Sequence, residues 1–136
     1  MTFASLANQH VCDVPIYEPG RPTGEVAREL RLKPAGIIKL ASNENALGPS
    51  PKAVAAMRRA LATAHLYPDG DCFYLRQALA KKLGVEKENI IVGTGSNEVI
   101  EFLYHAFVAP GDEVVTGDRA FVIYRIMAKS FQARCV

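Results

Sequence analysis

The sequence predicts an α/β fold in which an extended arm is followed by helices and then by the start of a parallel βαβ sheet. Proline and glycine are frequent between positions 15 and 24, and this composition favours extended chain over a compact element. Two amphipathic helical patterns follow, near residues 51–61 and 72–83. From residue 89 onwards, short apolar runs alternate with helical patterns, which is the order of a parallel sheet with right-handed crossovers.

The elements of the first half are predicted from local signals. We expect a short helix near residues 24–32 and a strand over residues 37–41, where the run Ile-Ile-Lys-Leu-Ala favours extended backbone. Ser50 and Pro51 match the preferred N-cap and first residue of a helix. The residues expected on the inner face of that helix are Val54, Met57 and Leu61.

The second amphipathic helix is expected to begin after Asp71, whose carboxylate can cap it, and to end at Gly84. Its expected buried residues are Leu75, Leu79 and Leu83. The elements expected after it are a strand at 89–92, a turn at 93–96, a helix at 97–109 with Ile100, Leu103 and Phe107 inside, a strand at 113–116, a helix at 121–131 and a strand beginning at 134. Since a parallel sheet needs several strands to pair its edges, we expect this sheet to be incomplete at the C-terminus.

The composition argues against several classes of function. A chain with 49% apolar and 22% charged residues is typical of a soluble globular protein, and a net charge of +2 favours neither nucleic acid nor a membrane surface as a partner. The three cysteines and three histidines show no paired ligand spacing, so we expect no metal site, no disulfide framework and a reducing, cytoplasmic location. The first five residues lack the pattern of a signal peptide, and no apolar run approaches the ~20 residues of a membrane span.

The loop Gly93-Thr94-Gly95-Ser96-Asn97-Glu98 is the segment that most strongly suggests a ligand. It lies between an expected strand and an expected helix, where glycines permit close backbone approach and the helix N-terminus offers unpaired N–H groups. A monophosphate would accept hydrogen bonds from Gly95, Ser96 and Asn97. An ordinary strand-to-helix turn with Ser96 as N-cap explains the same residues and stays open.

A dinucleotide site is a second interpretation of this loop. Asp118 lies at about the distance expected for the acidic residue that binds a ribose in such folds. Against this interpretation, Glu98 occupies the place of the third glycine, and its carboxylate would face a diphosphate with like charge. The loop also lacks the Gly-Lys-Ser/Thr of a nucleoside-triphosphate loop.

Five separated stretches together carry a resemblance to a known family: residues 15–22, residues 38–50 with their Asn43-Glu44-Asn45 segment, residues 67–70, the 93–98 loop and residues 110–113. In order and spacing they resemble the histidinol-phosphate aminotransferases, from about residue 14 to the end. This resemblance implies the N-terminal part of a fold-type-I transferase that uses pyridoxal 5′-phosphate (PLP). It implies an N-terminal arm at 1–35, a segment linking the small domain to the large domain at 36–66, and the start of the PLP-binding large domain at 67–136.

The resemblance also implies roles for individual residues. Gly95, Ser96 and Asn97 would bind the cofactor phosphate, and Phe121 would stack on the pyridine ring. Tyr67 would reach the partner's PLP phosphate across a homodimer interface. The substrate pocket, for a small amino or keto acid, would be lined by Tyr17 and by the segment containing Asn43 and Asn45.

The implied reaction is transfer of an amino group between histidinol phosphate and 2-oxoglutarate in histidine biosynthesis. None of the seven lysines lies in the Ser-Lys context of the family's Schiff-base lysine, so no catalytic residue is assigned and no turnover by this chain alone is expected. Ala46 and the Arg119-Ala120 pair depart from the family pattern beside the pocket. A related aminotransferase for aromatic or other amino acids is therefore an alternative, and a dinucleotide-binding module or a non-catalytic interaction domain is an alternative of another class.

Overall fold

The computed structural model describes residues 3–136. The first two positions belong to the expected arm and to the N-terminus that we expect to lack a signal peptide, and both lie outside the described residues. The chain divides into two compact units. One unit combines the residues up to Tyr17 with Asp69–Val136, and the other is Glu18–Pro68. None of the helices within residues 3–136 has the length and apolar character needed to cross a bilayer.

The unit Glu18–Pro68 contains two helices close to their predicted positions. Helix α2 (Thr23–Leu30) ends at Arg31, which adopts a left-handed conformation and donates its N–H to carbonyl groups of the last turn. Helix α3 (Pro51–Ala60) begins directly after Ser50, as expected, although the Ser50 side chain makes no capping hydrogen bond. The predicted inner face is wrong in part, because Val54 is half-buried but Met57 and Leu61 are exposed.

The strand predicted over residues 37–41 is wrong. A turn of 3₁₀ helix covers Pro34–Gly36, and the residues after it form no ladder. The side chains of Ile38 and Leu40 are 85% and 92% exposed. A β-prone run becomes a strand only where a neighbouring strand accepts its hydrogen bonds, and this run has no such neighbour within the described chain.

The other unit opens with a 3₁₀ turn at Phe3–Leu6 and helix α1 (Gln9–Cys12), where the sequence predicted an extended arm. Helix α4 (Phe73–Leu83) follows the return of the chain to this unit and ends at Gly84, as predicted, with φ +70°. The predicted burial along α4 is only partly right: Leu79 is half-buried, whereas Leu75 and Leu83 are exposed.

The N-cap residue of α4 is Cys72, and the side chain that bonds to the first turn of the helix is that of Asp69, not that of Asp71 as predicted. The N–H of Phe73 donates to Asp69 Oδ2 at 2.8 Å, and the N–H of Asp71 donates to Asp69 Oδ1 at 3.1 Å. Asp71 instead forms an ion pair with Arg76, at 2.5 Å between Oδ1 and Nη1. Cys72, the residue directly before the helix, has a left-handed backbone conformation and connects the turn at Asp69 to the helix.

Replacing Asp69 by alanine should therefore destabilise this unit by about 1–2 kcal/mol, the usual effect of losing an N-terminal cap. Asp71→Ala is the matched control, because it removes the same side chain two residues away and breaks only the ion pair with Arg76. The Asp71 carboxylate is exposed and Arg76 keeps its hydrogen bonds to the Lys87 carbonyl, so this loss should cost at most about 1 kcal/mol. Urea denaturation followed by circular dichroism compares the two. A larger effect for Asp71→Ala than for Asp69→Ala would contradict the assignment of the cap.

The last part of this unit is a parallel βαβ motif, as predicted. Strand β1 (Glu113–Val114) pairs with strand β2 (Arg134–Cys135), with Glu113 opposite Arg134 and Val114 opposite Cys135. Helix α6 (Ile123–Ser130) forms the crossover, and helix α5 (Ser96–Phe107) packs against it. The strand predicted over residues 89–92 is wrong, because Lys87–Asn89 is a 3₁₀ turn and the apolar residues after it pair with no strand in the described chain.

The core of this unit lies between α5 and α6. It consists of Ile100, Tyr104, Ile123 and Ala128, with half-buried residues of β1 and β2 around them. The hydroxyl of Tyr104 donates to the carbonyl oxygen of Tyr124 at 2.7 Å and so ties the two helices together. Burial of Ile100 confirms one position of the predicted inner face of α5. The other two positions, Leu103 and Phe107, are exposed, so that part of the prediction is wrong.

Candidate functional site: a glycine-capped helix N-terminus and an exposed ring

The 93–98 loop brings the chain into α5 through a conformation that glycine adopts readily and other residues do not. Gly95 has φ +123° and ψ 171°, and a side chain at this position would strain the backbone. Helix α5 begins at the next residue, so Gly95 is the N-cap and Ser96 is the first helical residue. The alternative interpretation of the loop, an ordinary turn with Ser96 as N-cap, misplaces the cap by one position. The physical reason is that the turn requires a positive φ immediately before the helix.

The start of α5 presents unpaired donors to solvent. The N–H groups of Gly95, Ser96 and Asn97 have no protein acceptor within residues 3–136, and all three residues are exposed. The Ser96 hydroxyl lies in the same first turn and can add a fourth donor. Unpaired N–H groups and the positive end of the helix dipole together favour an oxyanion here.

Glu98 occupies the other side of this turn. The N–H of Thr94 donates to Glu98 Oε2 at 2.6 Å, so the carboxylate bridges from the third helical residue back to the loop. Sequence reasoning treated Glu98 only as a residue that disfavours a diphosphate. The sequence did contain a signal for this hydrogen bond. Glu98 is the third residue of the helix, and acidic residues at that position commonly accept a hydrogen bond from the backbone just before the helix.

Phe121 lies in the same unit as the loop, just before α6. Its ring is 6.4 Å from that of Tyr17 and 6.4 Å from that of Tyr124, centroid to centroid, and it is nearly perpendicular to both. The Phe121 side chain remains 42% exposed. The structure therefore brings together two of the residues expected at the site, Tyr17 and Phe121, and adds Tyr124, which sequence reasoning missed.

Three of the expected site residues lie in the unit Glu18–Pro68. Tyr67 is fully exposed, and Asn43 has a left-handed backbone with φ +48°. The side chain of Asn45 stabilises its own loop, accepting from the N–H of Leu47 at 3.0 Å and donating to the carbonyl of Gly48 at 3.1 Å.

Asp118, which the dinucleotide interpretation would place against a ribose, is paired with Arg125 of helix α6. Arg125 Nη2 donates to Asp118 Oδ1 at 3.0 Å and to the Asp118 carbonyl oxygen at 2.7 Å. No group of three or more histidine, cysteine or acidic side chains within residues 3–136 is arranged to hold a metal ion.

The family model of aminotransferases of class I and II matches residues 35–136. The chain belongs to this family. Among its relatives, histidinol-phosphate aminotransferase of Akkermansia muciniphila is 54% identical over 136 residues, covering 100% of this chain and 38% of that protein. The enzyme of the same name from Anaeromyxobacter sp. is 52% identical over 123 residues, covering 90% of this chain and 33% of that protein.

A solved structure supports the same fold. The chain is similar to the crystal structure of histidinol-phosphate aminotransferase from Sinorhizobium meliloti in complex with pyridoxal-5′-phosphate, with a TM-score of 0.77 and 25% identity. The match covers 97% of this chain and 34% of that one. The fold is therefore that of the N-terminal region of this class of transferase, as predicted, and this aminotransferase chain spans about a third of the length of the curated relatives it matches.

Proposed function

We propose that this chain forms the phosphate-binding and ring-binding part of the PLP site of a histidinol-phosphate aminotransferase. The proposal rests on one observation: the unpaired N–H groups of Gly95, Ser96 and Asn97 at the start of α5 lie in the same unit as the exposed ring of Phe121. The family membership and the 54% identity to a named enzyme of this activity support it. The reaction proposed is amino-group transfer between histidinol phosphate and 2-oxoglutarate in histidine biosynthesis, in the cytoplasm.

The residues of this chain fit a PLP phosphate. The amides of Gly95, Ser96 and Asn97 and the Ser96 hydroxyl offer up to four donors, which suits one monophosphate group. Glu98 adds a negative charge on one side of the turn, and this charge disfavours a larger polyanion such as a diphosphate. PLP, when bound, supplies the electron sink that transamination requires. The chain's own contribution is to bind the phosphate and to restrain the ring against Phe121.

The remaining roles follow the family pattern and belong to the same proposal. Tyr17, beside Phe121, and the Asn43 and Asn45 segment would contact the amino or keto acid substrate. Tyr67, which is fully exposed, would reach the cofactor of a second copy in a homodimer. The arm at 1–35, the linking segment at 36–66 and the large domain from 67 remain the proposed organisation.

A ligand titration tests the ring-binding role of Phe121. The probe is pyridoxine 5′-phosphate, which has the ring and phosphate of PLP but no aldehyde, so it forms no adducts with surface lysines. Phe121→Ala should weaken its binding by up to about tenfold, the value of one aromatic contact, and Phe121→Tyr should restore it. Binding is measured by the quenching of tyrosine fluorescence or by calorimetry.

Phe102→Ala is the matched control, because Phe102 lies in the same unit and is 41% exposed, close to the value for Phe121. The affinity for inorganic phosphate should be unchanged in both alanine variants, since inorganic phosphate has no ring and both variants keep the backbone N–H groups of the loop. Equal losses for the two variants, or no binding of the probe by the parent chain, would contradict the proposal.

A further inference from the structure

The turn at residues 93–95 is held by one side-chain contact. Glu98 Oε2 accepts the Thr94 N–H at 2.6 Å, and Glu98 is half-buried against the loop. Gly95 is the N-cap and has no side chain, so it cannot supply the reciprocal bond that a serine or threonine cap would make. The Glu98 carboxylate is therefore the only side chain of the described residues that bonds to the backbone of this turn.

The packing at Gly93 fits the same arrangement. A Cβ at Gly93 would lie 3.0 Å from Glu98 Oε2 and 3.0 Å from Val99 Cγ2. Both distances are tighter than ordinary van der Waals contacts, so a side chain at 93 would require the Glu98 carboxylate and Val99 to shift by a few tenths of an ångström. The lack of a side chain at Gly93 thus leaves room for the Glu98 carboxylate, whereas the lack of a side chain at Gly95 permits the positive φ of the turn.

We propose that Glu98 is a positioning residue that holds the 93–98 loop in its phosphate-binding conformation. It does so by accepting the Thr94 N–H, and the absence of a side chain at Gly93 leaves room for this contact. The inference rests on the proposed function, because the loop matters only if it binds a phosphate. The Glu98 carboxylate has two opposite effects on that phosphate. Its hydrogen bond fixes the turn and so keeps the amides of residues 95–97 aimed outwards, whereas its negative charge repels the dianion.

The two effects are separable by substitution. Glu98→Gln keeps an oxygen acceptor for Thr94 and removes the charge, so it should bind pyridoxine 5′-phosphate as tightly as the parent chain or up to about tenfold more tightly. Glu98→Ala removes both and should bind about tenfold more weakly, because the turn is no longer held. Gly93→Ala displaces the carboxylate by a few tenths of an ångström without removing it, so it should weaken binding less than Glu98→Ala does. Glu101→Gln is the matched control, since it removes one carboxylate from the exposed side of α5, and it should leave the affinity unchanged.

A second measurement examines the contact without any ligand. In the amide NMR spectrum of the unliganded chain, the Thr94 proton should be shifted downfield and protected from exchange in the parent and in Glu98→Gln. Both features should be lost in Glu98→Ala, reduced in Gly93→Ala and retained in Glu101→Gln. Exchange is slowed only when an amide is hydrogen-bonded or buried, so this readout reports the contact directly.

The combination of the two measurements separates the possible failures. If Thr94 is unprotected in the parent chain, the positioning role is wrong whatever the ligand does. If Thr94 behaves as expected but no variant binds the probe, the proposed function is wrong and the contact is structural only. Glu98→Gln could bind the probe as weakly as Glu98→Ala while its Thr94 amide proton stays protected from exchange. In that case binding depends on the charge of Glu98 and not on its hydrogen bond, and the inference is overturned.

Discussion

Replacing Tyr104 by alanine should destabilise the unit that contains α5 and α6 by about 3–5 kcal/mol, the range for truncating a large buried aromatic residue. Tyr104 is only 4% exposed, lies at the centre of the core and donates its hydroxyl to the Tyr124 carbonyl at 2.7 Å. Truncation opens a cavity between the two helices and leaves that carbonyl without its partner. Urea denaturation followed by circular dichroism measures the loss.

Two further variants make this result specific. Phe107→Ala removes an aromatic ring from the same helix, but that ring is 78% exposed, so the change should cost less than about 1 kcal/mol. Tyr104→Phe keeps the packing and removes only the hydrogen bond, so it should cost about 1 kcal/mol. Equal effects for Tyr104→Ala and Phe107→Ala would show that the core does not lie between α5 and α6.

Tyr104→Phe also changes the dependence of stability on pH. Burial, followed by the nearby Cys135 and Tyr124 groups, raises the pKa of Tyr104 above its ordinary value of 10.0. The unfolded chain therefore ionises first, so the stabilisation from a neutral Tyr104 is fully present below about pH 10 and is lost as the pH rises above it. The difference in stability between parent and Tyr104→Phe should narrow over that range.

Replacing Gly95 by alanine should abolish measurable binding of pyridoxine 5′-phosphate, a loss of at least tenfold in affinity. The backbone angles at Gly95, φ +123° and ψ 171°, lie in a region that is costly by about 1–3 kcal/mol for a residue with a Cβ. The variant relieves this strain by moving the turn, and this movement changes the arrangement of the three amides at the start of α5. Calorimetric titration compares the variant with the parent chain.

Gly84→Ala is the matched control for this variant. Gly84 also has a positive φ, +70°, and it also lies at a helix end, but at the C-terminus of α4. The two alanine variants should both lose stability, whereas only Gly95→Ala should lose the ligand. Retained binding in Gly95→Ala would indicate that the phosphate does not lie at this turn.

The parts of the fold that sequence could predict are those set by short-range signals. Gly84 ends α4, Pro51 begins α3, and β1 pairs in parallel with β2 because a helix of the right length joins them. The failures at residues 37–41 and 89–92 have a different cause. Both runs have the composition of strands, but a strand also needs a neighbour, and local composition contains no information about that neighbour.

The candidate site divides in the same way. A glycine-rich turn before a helix is visible in sequence, so the exposed N–H groups of residues 95–97 could be predicted as free donors at a helix start. The ring contact of Phe121 with Tyr17 could not, because Tyr17 is more than a hundred positions away in the chain. The contact with Tyr124 has a local signal, since the two residues are three positions apart in the helix predicted over 121–131. Composition also could not show that Asp69, and not Asp71, bonds to the first turn of α4. Either carboxylate can accept such a hydrogen bond, and the left-handed turn at Cys72 decides which of them reaches the helix.

The small core has a thermodynamic consequence for this chain. Among the residues whose burial the structure describes, the buried hydrophobic side chains are Ala27, Ala80, Ile100, Tyr104, Ile123 and Ala128. Three of these are alanines, so unfolding exposes little new apolar area for a chain of 136 residues. The heat-capacity change and the denaturant m-value of unfolding both scale with that area. We therefore expect a stability curve that is shallow in temperature and a broad denaturant-unfolding transition.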